Sequence, residues 1–343
     1  MYYVGLDAHL RRSTICVLDE NGKKLFDRHI KGLTDKVMEE LTKVKAELGG
    51  EMAVCFEASC GYGHLHDQLR KVAKRVVVAH PGHLRLIFRS KKKTDRVDAK
   101  KLATLLFLDQ VPPVYVPNAD VRGWRSLVEH RGRLIRKRTR VKNEIRSLLR
   151  GEGIVVRKNI WTLAGRAELG ELQLDNPCSA FRLTMFLAEL ESYMVQVSAT
   201  DRVLGAEGRK HAGVQLLMTI PGVGERTAEC LVAYIDDPGR FPSASEVASY
   251  FGLIPCLDSS AGKDRLGHIT KQGPASARRL LTEAAWISIR KSPTVRAYYE
   301  RVMRGDPERK KIALIATAHY LLRVSLALLK SGECWLEAAE RAA

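Results

Sequence analysis

A chain of 343 residues has room for two domains, each with its own core, and a hydrophobic share of 45% supports folded structure. Lys and Arg number 57 against 39 Asp and Glu, a formal charge of +18 that calls for a polyanionic partner, with nucleic acid first. The sequence predicts no membrane partner: no apolar run reads as long enough to span a bilayer, and no terminus is basic and amphipathic. Met1 leads straight into a strand pattern instead of a signal peptide, so the expected location is the cytoplasm. Seven scattered cysteines without a C-x-x-C pair read as reduced thiols, and Cys60, His64 and His66 lack the second ligand pair of a structural zinc site.

Alternation predicts strands over residues 2–7, 13–18 and 24–30, the last two joined by the turn Asp19-Glu20-Asn21-Gly22. A helix over 34–48 follows, with Val37, Leu41, Val44 and Leu48 on one face and Gly49-Gly50 as its stop. Next come a strand over 52–57, a helix over 62–72, a valine-rich strand over 75–79, and a helix carrying Asp98 that Pro112-Pro113 closes off. Strands that first form a meander and then alternate with helices give a mixed sheet in the order of an RNase H-like domain.

Four acids stand out in this stretch. Asp7 ends the apolar run Tyr2-Tyr3-Val4-Gly5-Leu6, Glu57 ends Met52-Ala53-Val54-Cys55-Phe56, and Asp95 and Asp98 lie three apart, on one helix face. Carboxylates at the ends of buried strands are costly without a positive partner, and a divalent metal is the obvious one. Four such groups suit two Mg²⁺ ions about 3.5 to 4 Å apart, with Asp7 bridging them. Taken alone, Asp95 and Asp98 are more often ion-paired with Lys91, Lys92, Lys93, Arg96 or Lys100 on a solvated helix; taken with the two strand-end acids, the metal reading leads.

From 122 to 150 a long helix carries Arg125, Arg131, Arg133, Arg136, Lys137, Arg138, Arg140, Lys142 and Arg146, with Leu127, Leu134, Val141, Ile145, Leu148 and Leu149 as its apolar stripe. A solvated basic face is the plain reading; a run this lopsided repels itself without counter-charge, which favours polyanion contact. A second amphipathic helix over 181–203 can pair with it as an antiparallel hairpin or serve a dimer. Farther on, Ile220-Pro221-Gly222-Val223-Gly224 between two helical stretches fits a helix-hairpin-helix, whose second helix offers backbone amides to a phosphate; an ordinary helical corner has the same pattern. The segment 252–271 reads as a glycine-containing polar loop with Ser259, Ser260, Lys263, Arg265 and Lys271, in which residue types alone do not single out a nucleophile.

Together, Gly5-Leu6-Asp7-Ala8-His9, Phe56-Glu57-Ala58-Ser59, Lys93-Thr94-Asp95-Arg96-Val97-Asp98-Ala99, Ile220-Pro221-Gly222-Val223-Gly224, Tyr250-Phe251-Gly252-Leu253 and Arg265-Leu266-Gly267-His268-Ile269-Thr270-Lys271 resemble, in order and over nearly the whole chain, the DEDD-type transposases of insertion-sequence family 110, relatives of the Piv invertase. The resemblance implies an α/β RuvC-like catalytic domain over 1–115, an arginine-rich helical linker or coiled-coil region over 116–213, and a mainly helical transposase domain over 214–343 with the helix-hairpin-helix and serine loop. It implies Mg²⁺ on Asp7, Glu57, Asp95 and Asp98, and a serine that attacks DNA to form a phosphoserine link. That serine maps to Ser260, although Ala261 interrupts the family's Ser-Gly and Ser259 is the neighbouring choice. The resemblance further implies work on element ends and target DNA at the bacterial nucleoid, guided by a structured noncoding RNA, by a homo-oligomer (dimer or tetramer) in which one subunit's acids work beside another's serine. The rival readings are a Holliday-junction resolvase-like nuclease that uses the same acids to hydrolyse DNA, and a non-catalytic nucleic-acid-binding protein.

Overall fold

The computed structural model describes residues 1–88, 94–155, 159–260 and 263–338, with the backbone alone for 258–260 and 263–266. The chain divides into two compact units, Met1–Arg122 and Gly123–Ala343.

In the first unit, β1 (Tyr2–Ala8), β2 (Arg12–Leu18) and β3 (Lys24–Lys31) form the antiparallel meander. After α1 (Thr34–Leu48), the strand β4 (Met52–Glu57) pairs parallel with β1, and after α2 (Tyr62–Leu69) the strand β5 (Arg75–Ala79) pairs parallel with β4. The sheet order is β3-β2-β1-β4-β5, so β1 is central, in a mixed RNase H-like arrangement. Two helices follow, α3 (Pro81–Ile87) and α4 (Asp95–Phe107).

The period of two along a strand sorts this sheet into two faces. Val4, Leu6, Ile15, Val17, Val54 and Phe56 pack with Val37, Leu41 and Val44 of α1. On the opposite face, Tyr3, Cys16, Leu18, Ala53 and Cys55 meet Ala99, Leu102, Ala103 and Leu106 of α4. Gly5 lies on that second face beneath α4, where a Cβ would collide with the Ala99 carbonyl oxygen and the Ala103 amide nitrogen. Asp7 and Glu57 are in phase with this α4-facing set.

The helix α5 (Ala119–Gly151) leads into the second unit, followed by α6 (Leu163–Glu171) and α7 (Pro177–Gly208). Arg131 pairs with Asp201, the Lys137 ammonium sits 5.7 Å from the Tyr193 ring centroid, and Ser179 donates to Glu152 at 2.6 Å. Residue numbers that fall on one helix as they rise on the other make α5 and α7 an antiparallel pair, and Val141, Ile145, Leu149, Leu183 and Leu190 close its core. The helical remainder comprises α8 (Ala212–Met218), α9 (Glu225–Ile235), α10 (Ala244–Tyr250), α11 (Ala275–Lys291), α12 (Pro293–Met303) and α13 (Lys310–Ser331), with a two-stranded sheet, β6 (Pro255–Ser260) and β7 (Lys263–Ile269), before α11.

Two expectations are corrected here. The segment read as a polar loop is the antiparallel hairpin β6–β7, in which Ser259 pairs with Asp264 and Ser260 with Lys263. Its small polar residues disguise a strand, while Leu257 and Leu266, opposite each other, are the apolar mark of the pairing. Secondly, an apolar run of bilayer length does exist. The stretch Pro307–Ser331 contains an 18-residue window of mean hydropathy 1.8, but half of that window is buried inside the fold. Ala313, Ala318, Leu321, Leu322 and Leu326 are core residues, so apolarity all round α13 is that of a helix buried in protein.

Candidate metal and catalytic site

Asp7 is the next-to-last residue of the central strand β1, in register with Thr14 of β2. Glu57 ends the adjacent strand β4. Asp95 and Asp98 occupy the first turn of α4, where carboxylates also complement the helix dipole. Thr94 caps that helix by accepting from the Val97 amide at 3.4 Å, and its carbonyl takes the Asp98 amide at 3.0 Å. The turn is tied to the sheet by a relay: Arg96 Nε donates to His29 Nε2 at 2.8 Å, and His29 Nδ1 lies 2.9 Å from Thr14 Oγ1. An accepting Nε2 requires the proton on Nδ1, which then donates to the threonine.

All four predicted acids line one cleft of about 340 Å³, together with Ala8, His9, Ser59, Pro81, Leu84, Arg85, Phe88, Lys101 and Leu102. Two cations, Arg85 and Lys101, thus line it with the acids. Lys101 Nζ sits 3.3 Å from Asp98 Oδ1 and 5.1 Å from the Phe88 ring centroid. Among the possible ion-pair partners for Asp95 and Asp98, Arg96 is spent on His29, and Lys91, Lys92 and Lys93 lie outside the described residues.

Burial at a strand end is a cost to Asp7 and not to Glu57. Only 18% of the Asp7 side chain is exposed, whereas Glu57 and Asp95 are exposed residues. Burial raises the Asp7 carboxyl above its usual range; His9 pulls it down, and the negative charges of Asp95 and Asp98 push it up again. A cation among these groups would relieve both burial and mutual repulsion. Carboxylate oxygens are the donors that Mg²⁺ prefers, so the set fits a hard divalent ion.

Sequence reasoning passed over His9, Arg85 and Lys101. His9 was legible: it stands two residues beyond Asp7, where a continuing strand returns its side chain to the same face. Its Nε2 is 3.3 Å from Asp7 Oδ2, and donor atoms of Asp7, His9 and Asp95 lie within 4.8 Å of one another.

The second unit carries two further predicted features. In the turn from α8 to α9, Gly222 has φ +95°, and a Cβ there would meet the Ser288 backbone at 2.6 Å. Gly224, the residue before α9, has no atom within 4 Å of where its Cβ would be, so that side of the turn is open. Ser259 and Ser260 end β6, and their side chains lie outside the described set.

Comparison with known proteins covers both units. Residues 4–153 match the family model of DEDD transposases of IS110, and residues 214–300 match the transposase IS116/IS110/IS902 family. A Sinorhizobium fredii protein bearing the transposase designation y4pF/y4sB is 29% identical over 295 residues, 84% of this chain and 76% of its own length. The transposase for insertion sequence element IS1111A of Coxiella burnetii is 26% identical over 82% of this chain and 76% of itself. The corresponding protein of element IS1328 from Yersinia enterocolitica is 24% identical over 81% and 84%. With both of its units matched to one transposase lineage, and with relatives aligned through most of their length, the chain belongs to the IS110-type transposases.

Proposed function

We propose that this transposase cuts and rejoins DNA strands with Mg²⁺ held by Asp7, Glu57, Asp95 and Asp98, and with Ser260 as nucleophile. The observation that carries the reading is the convergence of four acids from β1, β4 and α4 on one cleft. When bound there, paired Mg²⁺ would supply Lewis-acid stabilisation of phosphoryl charge and activate the attacking oxygen. Asp7, the most enclosed of the acids, would hold the metal from β1, and Asp95 and Asp98 from the capped turn of α4. Arg85 and Lys101 are suited to a DNA phosphate at the cleft.

In the proposed strand transfer, the Ser260 Oγ–P bond forms as one P–O ester bond of the DNA strand breaks, the serine proton ending on the released oxygen. The ester count is unchanged, which keeps the bond energy for rejoining. The exposed basic face of α5 suits a structured noncoding guide RNA, because A-form helices are held mainly through phosphates and shape. Exposed Phe181, Met185, Val195 and Val203 on α7 support a homo-oligomer, dimer or tetramer. Such a machine works on element ends and target DNA, at the bacterial nucleoid in the cytoplasm.

The test incubates the full chain with element-end DNA, target DNA and Mg²⁺, and follows cleavage and protein–DNA adducts on denaturing gels. Asp7→Asn is expected to abolish cleavage while retaining DNA, and Ser260→Ala to abolish the adduct. Cleavage at the wild-type rate by Asp7→Asn would remove the metal site. Undiminished adduct in Ser260→Ala would pass the role to Ser259 or another group, and cleavage without any adduct would favour the resolvase-like hydrolysis.

A further inference from the structure

We infer that His9 is a nitrogen ligand to the divalent ion of this cleft, so the site binds metal through a mixed imidazole–carboxylate set and not through acids alone. The inference rests on the reading that Asp7 and its acidic neighbours hold that ion.

Three observations carry it. The first is position: His9 directly follows β1, in phase with Tyr3, Gly5 and Asp7 on the face that α4 covers. Secondly, its backbone is fixed, since the His9 amide donates to the Arg12 carbonyl at 3.0 Å and continues the β1–β2 pairing past the strand end. The hairpin therefore fixes the point from which the imidazole leaves the main chain. The third is donor geometry. Ligand atoms about 2.1 Å from one ion lie about 3 Å apart when adjacent and about 4.2 Å apart when opposite. Nε2 of His9 lies 3.3 Å from Asp7 Oδ2, and the three donors of Asp7, His9 and Asp95 all fall within 4.8 Å of one another.

An ordinary Asp–His ion pair would explain the first distance, but not why a donor of Asp95, from a helix far along the chain, comes within 4.8 Å of both. A ring nitrogen among oxygens also has a chemical consequence. Imidazole favours transition metals over Mg²⁺, so His9 would widen the site's tolerance towards Mn²⁺.

The experiment uses the full-length protein with Mn²⁺ as probe, read by titration and by electron spin-echo modulation on histidine-¹⁵N-labelled and unlabelled samples. Wild type is expected to show ¹⁴N modulation that converts to ¹⁵N on labelling. In His9→Gln the modulation should vanish, Mn²⁺ affinity should fall about tenfold and Mg²⁺ affinity clearly less. His9 is 60% exposed, so the variant should keep the wild-type melting temperature. If Mn²⁺ binds in wild type and is lost in Asp7→Asn, yet no nitrogen modulation is seen or it persists in His9→Gln, the role of His9 is overturned and the carboxylate site stands. If Mn²⁺ binding is indifferent to Asp7→Asn, the cleft itself is wrongly read, and this inference goes with it.

Discussion

Glu229, on α9, is fully buried, and neither of its carboxylate oxygens has a hydrogen-bond partner among the described residues. Arg226 lies 3.1 Å away, but it also serves Glu225 at 2.6 Å and the Asp201 carbonyl at 2.9 Å. Gly208 of α7 leaves the space: a Cβ there would sit 2.7 Å from Glu229 Oε1. Burial lifts the Glu229 pKa to about 7; Arg226 opposes the rise, and Glu225 and Asp201 add to it. A carboxyl whose pKa is higher folded than unfolded favours the fold while protonated, an advantage complete below its ordinary value near 4.5 and lost as pH climbs through about 7. Glu229→Gln mimics the protonated form. In urea denaturation it should match wild type near pH 5 and exceed it at pH 8 by about 1 to 3 kcal/mol. An unchanged gap between the two pH values would show that Arg226 keeps the buried charge satisfied.

At the scale of elements, the site depends on how closely α4 approaches β1, and Gly5 sets that approach. Any side chain there must push the Ala99–Ala103 stretch of α4 off the sheet, and Asp95 and Asp98 ride on the same helix. Gly5→Ala should therefore cost about 1 to 3 kcal/mol of stability as an overpacking change and should weaken divalent-metal binding more than tenfold. Stability would be read by denaturation and binding by Mn²⁺ titration; loss of stability with intact metal affinity would mean that the acids are placed independently of α4. The dependence was half legible. Asn21-Gly22 and the alternation around it predict the meander, and residues 34–48, 52–57 and 75–79 fold as the elements their periodicity indicates, because each buries a whole face. What periodicity cannot reveal is a short element: α3 has seven residues and begins at Pro81-Gly82, which reads as a turn. The full extent of α7 carried signals left unread. Asn176 caps it by accepting from the Cys178 and Ser179 amides, with Pro177 at the first helical position. Convergence of Asp7, Glu57, Asp95 and Asp98 followed from strand order, whereas the exposure of Glu57 and Asp95 did not, since a strand end and a helix start give no measure of the cleft between them.

For the whole molecule, a charge of +18 has to be divided between cations that build the fold and cations left for a polyanion. The basic helix α5 contains both. Arg125 donates to the carbonyls of Ala233 and Tyr234, and Arg131 pairs with Asp201, so these two are internal ties. Lys142 sits over Trp161 at 5.0 Å, its pKa lowered by burial and by the charges of Arg138, Arg146 and Arg166. Arg133, Arg136, Arg140 and Arg150 are exposed, at spacings of three, four and ten that keep them on one side of the helix, away from buried Leu134, Val141, Ile145 and Leu148, whereas Lys137 sits over Tyr193 of α7. Arg140 is partly neutralised by Glu144 at 2.9 Å. If this face holds nucleic-acid phosphates, each contact releases counterions, and the slope of log K against log salt counts the contacts at roughly 0.9 per phosphate on duplex DNA. Replacing Arg133, Arg136 and Arg150 together by alanine should flatten that slope by about 2 to 3 and weaken binding at low salt on any sequence. Arg131→Ala should instead lower the stability of the second unit, by breaking its tie to Asp201 on α7, while leaving the slope of the folded protein nearly unchanged. An unaltered slope in the triple variant would assign the exposed face of α5 to solvent, and the polyanion would then have to be held by cations elsewhere on the chain.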